Sequence, residues 1–197
     1  MRRLAAVLTL ASLCGCAASA GKLAPTAPEL RETLGALPLR NADFEAPLRA
    51  QNHCADRWDC SVHADPASYT FRLDTAKPSQ GAHSLCIERV GKEPWATVTQ
   101  AVRDAGGLAG KRLRLSMALR LEGVTGEGAG PWVQLHGPGG RNLKHDQKLF
   151  KGTRGWEREV LEFTVLAGTE IVEIGATLEG PGRLCIDEVR LETLDVR

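Results

Sequence analysis

Between Arg112 and Leu121 the chain alternates without a break: Leu113, Leu115, Met117, Leu119 and Leu121 fall between Arg112, Arg114, Ser116, Ala118 and Arg120. Successive side chains of an extended strand point to opposite faces, so this period of two gathers five apolar side chains on one face. A helix would spread the same leucines and arginines around its circumference, whatever leucine's helix propensity. A strand with one apolar and one charged face belongs to an antiparallel sheet covered on one side, as in a β-sandwich.

The rest of the chain repeats the pattern in shorter pieces. Strands are expected at Asp43–Ala46, Tyr69–Leu73, Ser84–Val90, Trp95–Arg103, Trp132–Gly137, Glu157–Val165, Ile171–Glu179 and Arg183–Leu191. Between them stand breakers: Lys77 to Gly81, Ala105 to Gly107, Gly123 to Gly130, Gly137 to Gly140, and Gly180 to Gly182. The 21 glycines and 10 prolines suit this loop-rich all-β plan, and 43% hydrophobic residues exclude a disordered chain. The absence of an internal repeat argues against a propeller or solenoid. A net charge of +1 gives no bulk attraction for nucleic acid, and none is expected as a partner.

The N-terminus has the layout of an export signal: Arg2-Arg3, an apolar run from Leu4 to Leu13, then small residues. The run is too short to span a bilayer, which takes roughly 20 residues of helix. Leu13-Cys14-Gly15-Cys16 resembles the bacterial lipobox, which implies cleavage after Gly15 and a lipid on Cys16. The alternative is ordinary signal-peptidase cleavage near Ala20. Three segments follow from the first reading: a lipoprotein signal peptide (1–15), the lipidated cysteine with a flexible linker (16–36), and one β-sandwich domain (37–197). Ala17 after the cysteine, in place of aspartate, implies sorting to the outer membrane in a Gram-negative host.

Four cysteines remain in the exported chain, Cys54, Cys60, Cys86 and Cys185, and an even count outside the cytoplasm reads as two disulfides with three possible pairings. In one pairing, Cys54–Cys60 closes a short loop around Trp58 and Cys86–Cys185 ties the Ser84–Val90 strand to the last strand. A zinc site with His53 or His63 is the competing reading, but the cysteine spacing lacks the tight pair such sites use.

The order of motifs is recognisable. Asn41-Ala-Asp-Phe-Glu45, Gln80-Gly-Ala-His-Ser-Leu85, Trp95-Ala-Thr-Val-Thr-Gln100, Gly155-Trp156 and Asp187-Glu-Val-Arg-Leu191 follow one another. This succession resembles the galactose-binding-like jelly roll of carbohydrate-binding modules, in particular families four, nine and twenty-two, across residues 40–192. The resemblance implies an all-β, two-sheet antiparallel sandwich and a non-catalytic role in binding a glycan. It also implies a structural calcium ion held by Glu45 and Asp187, with Asp43 as a less certain ligand and carbonyls near Gly81 and His83. Turn-capping acids with no ion are the alternative.

A sugar site needs flat aromatic surface for the ring faces and planar polar groups for the hydroxyls. Trp132, Gln134 and His136 alternate with Val133 and Leu135, and Trp95, Thr97 and Thr99 oppose Val98 and Val102. With the resemblance placing the ligand on the outward face of one sheet, the candidate constellation is Trp95, Arg114, Trp132, Gln134 and His136. Trp58 and Trp156 are assigned to packing, and Gln100 to a buried, satisfied amide. His145 and Asp146 read as a solvated turn. No G-x-S-x-G elbow, HExxH, P-loop or paired-carboxylate motif is present, so an enzyme ranks below a glycan module and below a module that docks a protein partner in the envelope.

Overall fold

The computed structural model describes residues 32–46 and 54–196. The signal peptide, Cys16 with its lipobox, the linker as far as residue 31, and His53 lie outside the described residues. The strands are β1 (Glu32–Leu37), β2 (Asp59–Val62), β3 (Tyr69–Asp74), β4 (Ser84–Arg89), β5 (Ala96–Arg103), β6 (Arg112–His136), β7 (Asn142–Gln147), β8 (Phe150–Thr164), β9 (Ile171–Glu179) and β10 (Arg183–Val196). Every pairing among them is antiparallel.

β6 is 25 residues long and belongs to both layers of the sandwich. Its first half pairs with β10 and β8, and β10 continues the layer to β4 and β3. Its second half, from Gly128 to His136, pairs with β9 and β7, and β9 continues the other layer to β5 and β2. β1 runs along β10 beyond the end of β4. The two layers close on one core. Leu113, Leu115, Met117, Leu119 and Leu121 are wholly buried there with Leu85, Ile87, Val98, Ile174 and Leu178. The apolar face of the alternating stretch is where its period puts it.

Several expectations are corrected. The Gly123–Gly130 stretch does not separate two strands; β6 runs through it and changes layer there, with register shifts against β8. Gly126 is left-handed, at φ 75, and a Cβ on it would lie 2.8 Å from the Glu179 carbonyl oxygen. A side chain at this position would both strain the backbone and hold the bend off β9. Asp43–Ala46 is a turn, because Asn41 and Phe44 take left-handed angles (φ 49 and 57) and the Asn41 side-chain oxygen accepts from the Ala46 N–H (2.9 Å). Strand structure starts at Glu32, inside the stretch expected to be linker. The stretch expected as a solvated turn at His145 and Asp146 is the edge strand β7, whose sequence Asn-Leu-Lys-His-Asp-Gln has no apolar face to announce it.

Of the three pairings open to the cysteines, Cys54–Cys60 and Cys86–Cys185 form. Cys86 and Cys185 sit directly opposite each other on β4 and β10, 99 residues apart in sequence. Trp58 is buried against Phe44 (ring centroids 5.2 Å) with its indole N–H on the Asn41 carbonyl, and Trp156 donates to the Lys77 carbonyl, so both tryptophans assigned to packing are tied to backbone. Gln100 is buried, with hydrogen bonds to both backbone groups of Arg40 and to the Arg57 carbonyl.

Each arginine on this face of β6 has a carboxylate partner. Arg112 and Arg114 share Glu162 at 2.6 and 2.7 Å, and Arg120 is buried against Asp74 at 2.8 Å. On β8, burial raises the Glu159 carboxyl, but hydrogen bonds from Lys148 and Arg154 outweigh it and hold the group below its ordinary value of 4.5. Glu162 is likewise lowered, first by the Arg114 hydrogen bond.

Two outcomes are expected. Replacing Cys86 and Cys185 by serine lowers unfolding free energy by roughly 4–5 kcal/mol in a denaturant titration, the scale for a crosslink closing so long a loop; a loss near zero would remove this crosslink from the stability account. Glu159 and Glu162 have folded values below their unfolded ones, so their stabilisation is present above pH 4.5 and lost as the pH falls through the folded values. The Glu159→Gln variant should therefore be less stable at neutral pH and lose less on acidification; an unchanged acid limb would contradict this.

Candidate functional site

The outward face of the second layer carries a groove of about 330 Å³ lined by Trp95, Thr97, Trp132, Gln134, His145, Gln147, Thr177 and Glu179. Four neighbouring strands build it in the order β5, β9, β6, β7. Trp95 precedes the first residue of β5, and β9 lies between it and Trp132 on β6, which places Thr177 and Glu179 between the two tryptophans. The floor is low because Trp132 faces Gly175 across the ladder and Thr177 faces Gly130. Gly175 is obligatory for a second reason: a Cβ there would lie 1.9 Å from the Val98 carbonyl oxygen.

The polar groups here are available. Among the described residues no hydrogen bond or ion pair reaches the indole N–H of Trp95 or Trp132, the Gln134 amide, or the Glu179 carboxylate. Gln147 Oε1 is screened from solvent and also has no partner. His145 braces the Trp132 ring (centroids 5.6 Å), and His63, itself hydrogen-bonded to Glu93 at 2.7 Å, braces the edge of the Trp95 ring at 5.5 Å. Such a trough offers two aromatic platforms and a row of unused donors and acceptors, which is what a hydroxyl-rich ring requires.

Of the expected constellation, Trp95, Trp132 and Gln134 come together in the groove. His136 is on the same face but outside the groove lining, with Nε2 2.8 Å from Glu173, whose other oxygen accepts from Thr99 at 2.7 Å. Arg114 is not part of the site: it sits in the first layer, paired with Glu162, because alternation assigns a residue to a face and not to a layer. His145 and Gln147 escaped sequence reasoning with β7 itself; their spacing of two was the only signal.

The expected calcium ligands line a separate hollow of about 500 Å³ together with Glu188, Gln80 and Gly81. Asp187 is wholly buried; one oxygen accepts from the N–H groups of Ser79 (3.0 Å) and Gln80 (3.1 Å), the other from Glu188 (2.7 Å). Burial nevertheless holds its carboxyl above the ordinary value. Glu45 accepts from the N–H groups of Ala82 (2.9 Å) and His83 (3.0 Å), which lower its carboxyl, and Asp43 caps its own turn at the Glu45 N–H. Calcium takes six to eight oxygens. Here the carboxylates accept backbone N–H groups, and among the described residues Asp43, Glu45 and Asp187 do not converge as a ligand group. The carboxylates form an amide clasp over the β3–β4 loop.

No family model matches the chain. An uncharacterized HTH-type transcriptional regulator of Bacillus subtilis (strain 168), YbfP, is 26% identical over 138 residues; the match covers 66% of this chain and 45% of that protein, so this chain spans less than half of its curated relative. Among solved structures, the enzymatically active domain of tailspike protein 4 of bacteriophage CBA120 superposes with a TM-score of 0.59 at 15% identity, over 79% of this chain and 21% of that one. A family 22 xylan-binding domain from Paenibacillus barcinonensis gives 0.53 at 11% identity, over 87% of this chain and all of that one. A carbohydrate-binding module of family 4 gives 0.51 at 16%, over 79% and 99%. The fold is the jelly-roll β-sandwich of these modules.

The clasp predicts that calcium added to a chelator-treated sample leaves the melting temperature unchanged. Asp187→Ala should cost roughly 2–3 kcal/mol with or without the ion, the scale for stranding buried amide donors. A calcium-dependent rise that Asp187→Ala removes would restore the ion to this hollow.

Proposed function

We propose that this chain is a non-catalytic glycan-binding module displayed by a lipoprotein of the cell envelope, on the outer membrane in a Gram-negative host. The observation that carries the proposal is the division among the four tryptophans. Trp58 and Trp156 have their indole N–H groups committed to backbone carbonyls. Trp95 and Trp132 do not, and they share one groove with unpartnered carboxamides. A folded chain leaves such surface open at a cost in hydration, and a pyranose uses it, stacking its apolar face on the ring and directing its hydroxyls to the amides.

The fold supports the reading because structures named as carbohydrate-binding modules share it from end to end. The lipid anchor rests on Leu13-Cys14-Gly15-Cys16 and the apolar run before it.

The test is a glycan array, backed by affinity gels containing polysaccharides, with the wild-type domain and Trp132→Ala. Retention is expected for the wild type, with a loss of about tenfold or more in the variant, since removing one stacking platform costs on the order of 1–3 kcal/mol. Retention that survives Trp132→Ala would remove the groove from the account. Capture of an envelope protein through the same face, with no glycan retained, would replace the glycan reading.

A further inference from the structure

Resting on that reading, the groove also indicates which glycans it selects. Its lining carries one carboxylate, Glu179, and no lysine or arginine. On one side Glu179 follows Leu178, which pairs with Ala96, so its neighbour there is Trp95. On the other side its cross-strand partner is Gly128, which has no side chain. The groove lining therefore holds no cation to pair with it, and Lys148, whose backbone lies over Gly130, is engaged by Glu159 at 2.9 Å. Beneath the groove the Tyr69 hydroxyl is pushed up chiefly by burial, against the pull of Arg89, whose guanidinium donates to the Lys92 carbonyl.

A half-buried carboxylate without a protein partner is open to an incoming cation. Tryptophan faces attract cations through the ring quadrupole, and an ammonium donates charge-assisted hydrogen bonds to a carboxylate. We propose that the groove is selective for amine-bearing glycans, with Glu179 receiving the ammonium of an amino-sugar residue whose ring lies against Trp132 or Trp95. Glu179 is the specificity-determining residue, and the tryptophans supply affinity common to all glycans. Uronate polymers, which bring a second carboxylate beside Glu179, are disfavoured by the same charge.

Oligoglucosamine and its fully N-acetylated counterpart of equal length test this directly, because acetylation removes the charge and keeps the ring. Calorimetric titration at mildly acidic pH, where the amine is protonated, should show the free amine binding about tenfold more tightly than the acetylated oligomer, the scale of one charge-assisted hydrogen bond. In Glu179→Gln, which keeps the shape and an acceptor oxygen, the ratio should fall to about one, with the melting temperature as a check on folding. High salt should narrow the wild-type ratio. Equal affinities in the wild type, or a ratio that survives Glu179→Gln, would overturn the inference while leaving the glycan reading intact wherever Trp132→Ala still abolishes binding. Failure of the wild type to retain any glycan, neutral or amine-bearing, would overturn both.

Discussion

The continuity of β6 through the Gly123–Gly128 bend is the constraint on which the molecule depends. A sandwich needs two layers, and most strands serve one of them. β6 instead gives its first half to the layer of β10 and its second half to the layer of β9. Its ladder bonds thereby fix the two layers in register with each other. The bend must be tight, and Gly126 shows why: it is left-handed and packed so closely on the Glu179 carbonyl that a Cβ would collide. The apolar face before the bend and the Val133–Leu135 face after it then meet in one core.

The two outward faces answer burial in opposite ways. On the first layer the β3–β4 loop folds down, so Ser79 and Gln80 bond Asp187, and Trp156 bonds Lys77. Arg120 lies beneath with Asp74 and against the Trp156 ring. The charged groups there are paired, as buried charge requires, although Ser84 Oγ and the Nε atoms of Arg89, Arg120 and Arg183 have no partner. On the second layer the groove keeps indole, amide and carboxylate groups without partners. The same sheet architecture thus pairs the charges of one face and leaves the groove of the other with two uncommitted tryptophans.

What the sequence discloses follows from what periodicity can encode. Alternation at Arg112–Leu121 identifies the core face because each side chain's face depends only on its neighbours. The same logic correctly sets Trp132 and Gln134 opposite Val133 and Leu135. It is silent on which layer a strand joins, and so Arg114, on the outward face of the wrong layer, was grouped with them. Glycine is ambiguous for a related reason: Gly123–Gly130 carries the composition of a loop, and only the ladder to β8 and β9 reveals a strand that bends. Asn41 and Phe44 take left-handed angles that a strand-like motif does not announce. β7 lacks an apolar face altogether, which concealed His145 and Gln147. Cysteine count gave the number of bridges, and the cross-strand register of β4 and β10 makes Cys86–Cys185 possible.

The bend and the groove are one feature seen from two sides. Gly128 and Gly130 are the β6 residues paired with Glu179 and Thr177, so the glycines that let β6 change layer put no β6 side chain beside the groove's carboxylate, and the Lys148–Phe150 segment packs over them. Packing forbids a side chain at either position, since a Cβ on Gly130 would lie 2.0 Å from the Lys148 carbonyl and one on Gly128 2.9 Å from that of Phe150. The requirement that two layers share a strand therefore holds open a place where an unpaired negative charge faces two tryptophans. The fold sets that place, and the identity of residue 179 decides what is drawn to it.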